Sequence, residues 1–193
     1  MRNRPAARVM ASMGLALALW ASAAGATTVL PLDLDRLVAG AQTIVHVRCT
    51  GNAVQPDPTV GVATITTFAV LDRAKGPVDR VLQLRQAGGE LDGVAVDFHV
   101  PKFRVGEEYV LFVPAPSKLG FASPVALAQG VFGVVDRAGA REVGRGRDFA
   151  QLLAGGGTLP PGVAARMAPG RPAPESLDVG DFMALLRIRA APR

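Results

Sequence analysis

The chain has 193 residues, with 21 Lys and Arg against 16 Asp and Glu for a formal net charge of +5. Its length is enough for one domain with a real core, and a single cysteine excludes an internal disulfide framework. Three of the 21 basic residues, Arg2, Arg4 and Arg8, lie in the first 26 residues, which hold no acid; the remainder carries 18 against 16, so the basic excess is no argument for a nucleic-acid partner.

Those first residues read as an address. The three arginines form a positive n-region, residues 10–24 (MASMGLALALWASAA) are an apolar run, and Ala24-Gly25-Ala26 offers small residues at the positions a signal peptidase reads. Residues 1–26 are therefore expected to be a signal peptide, with the mature chain starting at Thr27 and a second cleavage site at Ala21-Ser22-Ala23. The alternative, an uncleaved anchor, is disfavoured because the run is shorter than the roughly 18 apolar residues a membrane span requires. No cysteine near the site permits lipid attachment, and no Arg-Arg pair marks a twin-arginine route. No later segment is long and apolar enough to span a membrane. The expected location is outside the inner membrane, periplasmic or secreted.

Residues 32–42 predict a short helix, with Leu34, Leu37, Val38 and Ala41 at helical spacing and Asp33 placed to cap it. A strand is expected at 43–50, in which Val45, Val47 and Cys49 share one face. Cys49 there reads as a buried small hydrophobe, against the alternative of an exposed thiol. Residues 51–61, with Pro56, Asp57 and Pro58, read as a loop. The alternating, β-branched run 63–72 is the next strand, Lys75-Gly76-Pro77 a turn, and 81–86 (VLQLRQ) a third strand. Residues 87–93 are glycine-punctuated and predict a loop with positive φ. A fourth strand is expected at 94–100, a strong one at 109–113, and a last pair at 125–128 and 131–136. Several short strands divided by turn signals argue for a mainly β barrel or sandwich. Residues 138–175, including Gly155-Gly156-Gly157 and Pro160-Pro161, read as a flexible connection with one turn of helix at 149–153. In the final segment, 176–193, Phe182, Leu185, Leu186 and Arg189 fall near one face of a short amphipathic helix at 179–189. That helix either docks on its own domain or waits for a partner on a tether.

Catalytic signatures are missing: there is no G-x-S-x-G, H-E-x-x-H or P-loop, and Gly144-Arg145-Gly146-Arg147 lacks the third glycine of a dinucleotide fingerprint. His46, His99 and Asp97 could form a metal site or a hydrolytic centre if their strands were neighbours; partly exposed histidines satisfied by backbone or water are the commoner case. Glu90, Asp92 and Asp97 read either as a carboxylate cluster or as a solvated turn. Arg137, Arg141, Arg145 and Arg147 form a basic cluster with few aromatics interleaved, which lacks a stacking platform for bases.

The order helix, TIVHVRC, TTFAVLDRAKG, VLQLRQ, FRVGEEYVLFV over residues 32–136 resembles the netrin-like module, best known from the N-terminal domain of the tissue inhibitors of metalloproteinases. Lys75-Gly76 and residues 105–112 (VGEEYVLF) occupy the positions of that family's Lys-Gly turn and following strand. Residues 85–93 (RQAGGELDG) and 127–134 (LAQGVFGV) also resemble segments of a group of exported bacterial proteins with the same strand order. The resemblance implies a small OB-like β-barrel over 27–137. It does not carry over inhibition by an N-terminal cysteine, because no cysteine stands at Thr27. The function expected is an exported, non-enzymatic binding module for a protein partner, conceivably a secreted protease, without cofactor, metal or nucleic acid. Its contact residues are expected in the loop of Gly88, Gly89, Glu90 and Asp92 and in the loop 51–61, since binding residues concentrate on loops of rigid scaffolds. A small exported hydrolase and a structural envelope component are the alternatives.

Overall fold

A computed structural model describes residues 32–144, 149–153, 158–172 and 174–192. The expected leader and its cleavage sites, the triglycine segment, and Arg145 and Arg147 lie outside these residues.

Two strands of 15 residues, β1 (Thr43–Asp57) and β2 (Gly61–Lys75), form a long antiparallel hairpin paired from Ile44↔Lys75 to Asp57↔Gly61. The expected loop at 51–61 is thus mostly strand, and only residues 58–60 turn. Pro56 is tolerated because it stands at the hairpin end, where the loss of one N–H costs little. Asp57 then closes the turn, its Oδ1 accepting from the backbone N–H groups of Thr59 (2.9 Å) and Val60 (3.2 Å). Register shifts leave Ala74 and Leu71 of β2 and Thr50 of β1 without a partner across the pair, and such bulges bend and twist the hairpin.

The remaining strands are β3 (Val81–Ala87), β4 (Gly89–Leu91), β5 (Val94–Val96), β6 (Glu108–Val113), β7 (Val131–Arg137), β8 (Ala140–Gly144) and β9 (Ser176–Asp178). Seven of them make one antiparallel sheet, ordered β3-β2-β1-β6-β7-β8-β9, while β4 and β5 pair only with each other. The fold is mainly β, as composition and patterning imply, but the closed barrel is corrected: β3 and β9 do not pair, and the sheet stays open. The expected strand at 125–128 is instead largely a short 3₁₀ turn, Leu127–Gly130. Gly130 passes so close to the backbone of Val125 that a Cβ would collide with it.

Alternation along β1 and β6 builds two cores back to back. On the first face Ile44, Val110, Phe112, Phe132, Val143 and Leu177 are buried beneath α1 (Leu34–Gly40), α2 (Phe149–Leu153), α3 (Pro161–Arg166) and α4 (Val179–Ala190). The aromatic rings there run in series: Phe112–Phe132 at 5.5 Å, Phe132–Phe182 at 5.2 Å and Phe149–Phe182 at 5.8 Å between centroids. On the second face Val45, Val47, Cys49, Phe68, Leu84, Tyr109 and Leu111 are closed over by Phe103. That ring meets Phe68 (5.0 Å) and Tyr109 (5.2 Å) edge-on, the geometry the ring quadrupole favours. Cys49 is 1% exposed, a packing residue.

The helices at both ends are held by side chains. Asp33 caps α1 by accepting from the N–H of Arg36 at 2.7 Å. Lys75 Nζ donates to the carbonyls of Val38 (2.7 Å) and Ala41 (2.6 Å), where a cation also suits the negative end of the helix. The adjoining Gly76, at φ +71°, lies against the carbonyl of Gln42 with no room for a Cβ. Asp178 caps α4, accepting from Gly180 N–H at 2.8 Å and Asp181 N–H at 3.4 Å. Phe182, Met183, Leu185 and Leu186 of α4 are buried in the first core. Arg187 pairs with Asp72 and donates to the Arg73 carbonyl at 3.2 Å, and Arg189 donates to Asp35 at 3.0 Å. The stretch 138–175, expected as a connection, contains β8, α2 and α3.

Candidate functional site

The polar half of the first sheet face is built by strand register. On β1, His46 and Arg48 are two residues apart and point to one side. Glu108, the first residue of β6, lies opposite Arg48 and one step diagonal from His46. Its carboxylate therefore accepts from both: Arg48 Nη2 at 2.6 Å and His46 Nε2 at 2.8 Å. Arg141, two strands away on β8, reaches across β7 to the same carboxylate, with Nη1 at 3.3 Å. Asp72 faces His46 from β2 and is tied to Arg187 of α4.

His46 is buried and Glu108 partly so, with side-chain exposures of 4% and 11%. A carboxylate only accepts, so His46 carries its proton on Nε2 and presents Nδ1 as an acceptor. Burial is the largest influence on His46 and lowers its pKa below the usual 6.5, against the pull of Glu108 in the other direction. Burial by itself would raise Glu108, but the hydrogen bonds from Arg48 and His46 outweigh it and hold the carboxyl below its ordinary range. At neutral pH the cluster is a neutral imidazole, one carboxylate and two guanidinium groups.

Beside the cluster lies a groove of about 610 Å³, lined by His46, Leu71 and Asp72 from the β1–β2 hairpin, the β7–β8 turn with Arg141, and the start of α4 with Asp178, Val179, Gly180 and Met183. Its volume is in the range of small-ligand sites. Among the described residues, no serine, threonine or cysteine lines it.

Of the residues singled out from sequence, His46 and Arg141 belong to this site and the others fall elsewhere. His99 donates its N–H to Asp97 at 2.7 Å on the exposed segment after β5. Among the described residues no three His, Cys, Asp or Glu side chains gather as a metal-holding group, so His46, His99 and Asp97 are not brought together. Gly88 and Gly89, at φ +94° and +145°, form the foot of the β4–β5 ribbon. A Cβ on Gly88 would strike the Val96 carbonyl, and one on Gly89 the side chains of Thr64 and Val54. Positive φ is thus required there as the glycine pattern predicts. Glu90 and Asp92 are exposed toward the tip. Of the basic cluster, Arg141 joins the Glu108 network and Arg137 approaches Glu142 at 3.9 Å.

Glu108 is the member of this cluster that the sequence does not single out. It stood in a turn motif (VGEE), and only the pairing of β1 with β6, 62 positions away in sequence, sets it against His46. Comparison with protein-family models, curated proteins and solved structures finds no match for this chain. No helix among the described residues is long and apolar enough to cross a membrane.

Proposed function

We propose that the chain is an exported, non-enzymatic binding module that engages a protein partner through the β4–β5 ribbon and the segment after it. The observation that carries this reading is an apolar and acidic surface displayed on a braced ribbon. Val94 is 62% exposed and Phe98 49%, beside exposed Glu90 and Asp92. Large apolar side chains left in water next to polar ones characterise interaction surfaces. The ribbon is braced from beneath: Gly88 N–H donates to the Val62 carbonyl (2.8 Å), and Thr64 Oγ1 donates to the Gly88 carbonyl (2.7 Å). A braced surface loses little conformational entropy on binding. The leader-like N-terminus supports export. A secreted protease is one partner of this kind.

The test is capture from the exported fraction of the source cells with wild type, with Val94→Ser/Phe98→Ser, and with the control Val135→Ser, which alters an exposed apolar residue on β7. One saturable partner is expected, held by wild type and control and lost by the ribbon variant. Equal retention by the ribbon variant, or no saturable partner at all, overturns the proposal.

A further inference from the structure

The groove beside His46 holds a set of charges that the protein does not close within itself. Glu108 and Arg48 neutralise one another at 2.6 Å, and Asp72 and Arg187 do the same. Two groups on the groove wall are left over. Arg141 spends a single N–H on Glu108, at the long distance of 3.3 Å, and its side chain is 52% exposed. A guanidinium has five donors in a planar fork, suited to a carboxylate. Asp178 spends Oδ1 on the α4 cap, while Oδ2 makes no hydrogen bond among the described residues. Both line the groove, on neighbouring strands or their ends, since Glu142 next to Arg141 pairs with Asp178. They form no salt bridge with each other. Leu71, Val179 and Met183 line the same groove and give it apolar surface, with Gly139 and Gly180 beside them.

We propose that this groove binds a short free peptide, its terminal carboxylate on Arg141, its terminal ammonium on Asp178, and an apolar side chain against Leu71, Val179 and Met183. One unspent cation and one unspent anion flanking an apolar floor complement a zwitterion with an apolar body; a simple anion would meet Asp178 and a simple cation would meet Arg141. The volume of about 610 Å³ accommodates two or three residues. The chain terminus of a protein shares half of this chemistry, and requiring both charges separates the two sources. The inference is independent of the ribbon surface proposed above, which lies outside this groove.

Leucyl-leucine is the probe, titrated into the full mature chain while backbone amide signals are followed by NMR. N-acetyl-leucyl-leucine and leucyl-leucinamide are titrated in parallel. The free dipeptide is expected to shift Gly139, Ala140 and Gly180 saturably. Blocking either end removes one charge-assisted contact and is expected to weaken binding at least about tenfold. Arg141→Gln should bind the dipeptide and its amide alike. Asp178→Asn, which keeps a capping oxygen, should bind the dipeptide and its N-acetyl form alike. No saturable shift at the groove, shifts centred elsewhere, or blocked forms equal to the free dipeptide on wild type would overturn the proposal. So would retained discrimination in both folded variants. Equal binding of a form blocked at one end assigns the groove to a protein terminus instead and likewise overturns the short-peptide reading.

Discussion

At Glu108 three donors converge on one carboxylate, and His46 is the only one of them that can lose its charge in the physiological range. Its folded pKa lies below 6.5, chiefly because burial penalises the imidazolium. As pH falls below about 6.5 the unfolded chain takes up a proton that the folded chain resists, so stability falls with pH until the folded pKa is reached. Glu108 has a folded pKa below its ordinary 4.5; its contribution is present above that value and is lost as pH falls further. Unfolding free energy measured in urea is therefore expected to be level from about pH 6.5 to about 8, below the range where thiols and phenols ionise, and to decline in two stages on acidification. His46→Gln, which keeps a donor for Glu108, should flatten the first stage and leave the second. A first stage unchanged in that variant would refute the assignment. Sequence patterning picked out His46 as a residue of interest but joined it to Asp97 and His99. Periodicity reports which face a residue occupies and is silent about which strand lies beside it.

Among the elements, α4 shows most clearly how far local signals reach. Its apolar stripe and its length are readable from neighbouring residues. That its stripe seals the first core is a non-local fact, resting on Phe182 between Phe132 and Phe149. Removing that ring leaves a cavity in a fully buried site, and Phe182→Ala is expected to cost about 3–5 kcal/mol, read as a lowered midpoint with unchanged slope in denaturant. Deleting residues 176–193 removes β9 and α4 together and is expected to unfold the chain, seen as loss of near-ultraviolet circular dichroism. A folded remainder would make the helix a tethered appendage after all. The β1–β2 hairpin teaches the converse. Pro56 and Pro58 are strong local breakers, yet the strand continues to Asp57, because cross-strand pairing and the Asp57 carboxylate supply the partners the turn needs.

For the whole molecule, two cores share one sheet, and β6 and the first half of β1 are buried on both sides. Cys49 sits in the second core, where burial pushes its thiol pKa up, and a protonated, enclosed thiol is unreactive. Modification of Cys49 by an aromatic disulfide reagent is expected to be negligible in the native state and to follow global unfolding as denaturant rises. Rapid labelling without denaturant would mean that the second core opens locally.

The sequence by itself determined what depends on near neighbours: the mainly β character, the helix at each end, the Asp33 cap of the first, the burial of Cys49, and the glycine positions that demand positive φ. It also limited the chemistry, because one cysteine and two histidines leave few ways to build a centre. Only the tertiary structure decided that the sheet remains open, that residues 140–144 extend it, that Glu108 receives His46, Arg48 and Arg141, and that a groove opens beside them. Those outcomes depend on strand pairing across tens of residues and on where bulges bend β1. The energies that settle them are sums over contacts between distant segments, and no local window of sequence contains both partners.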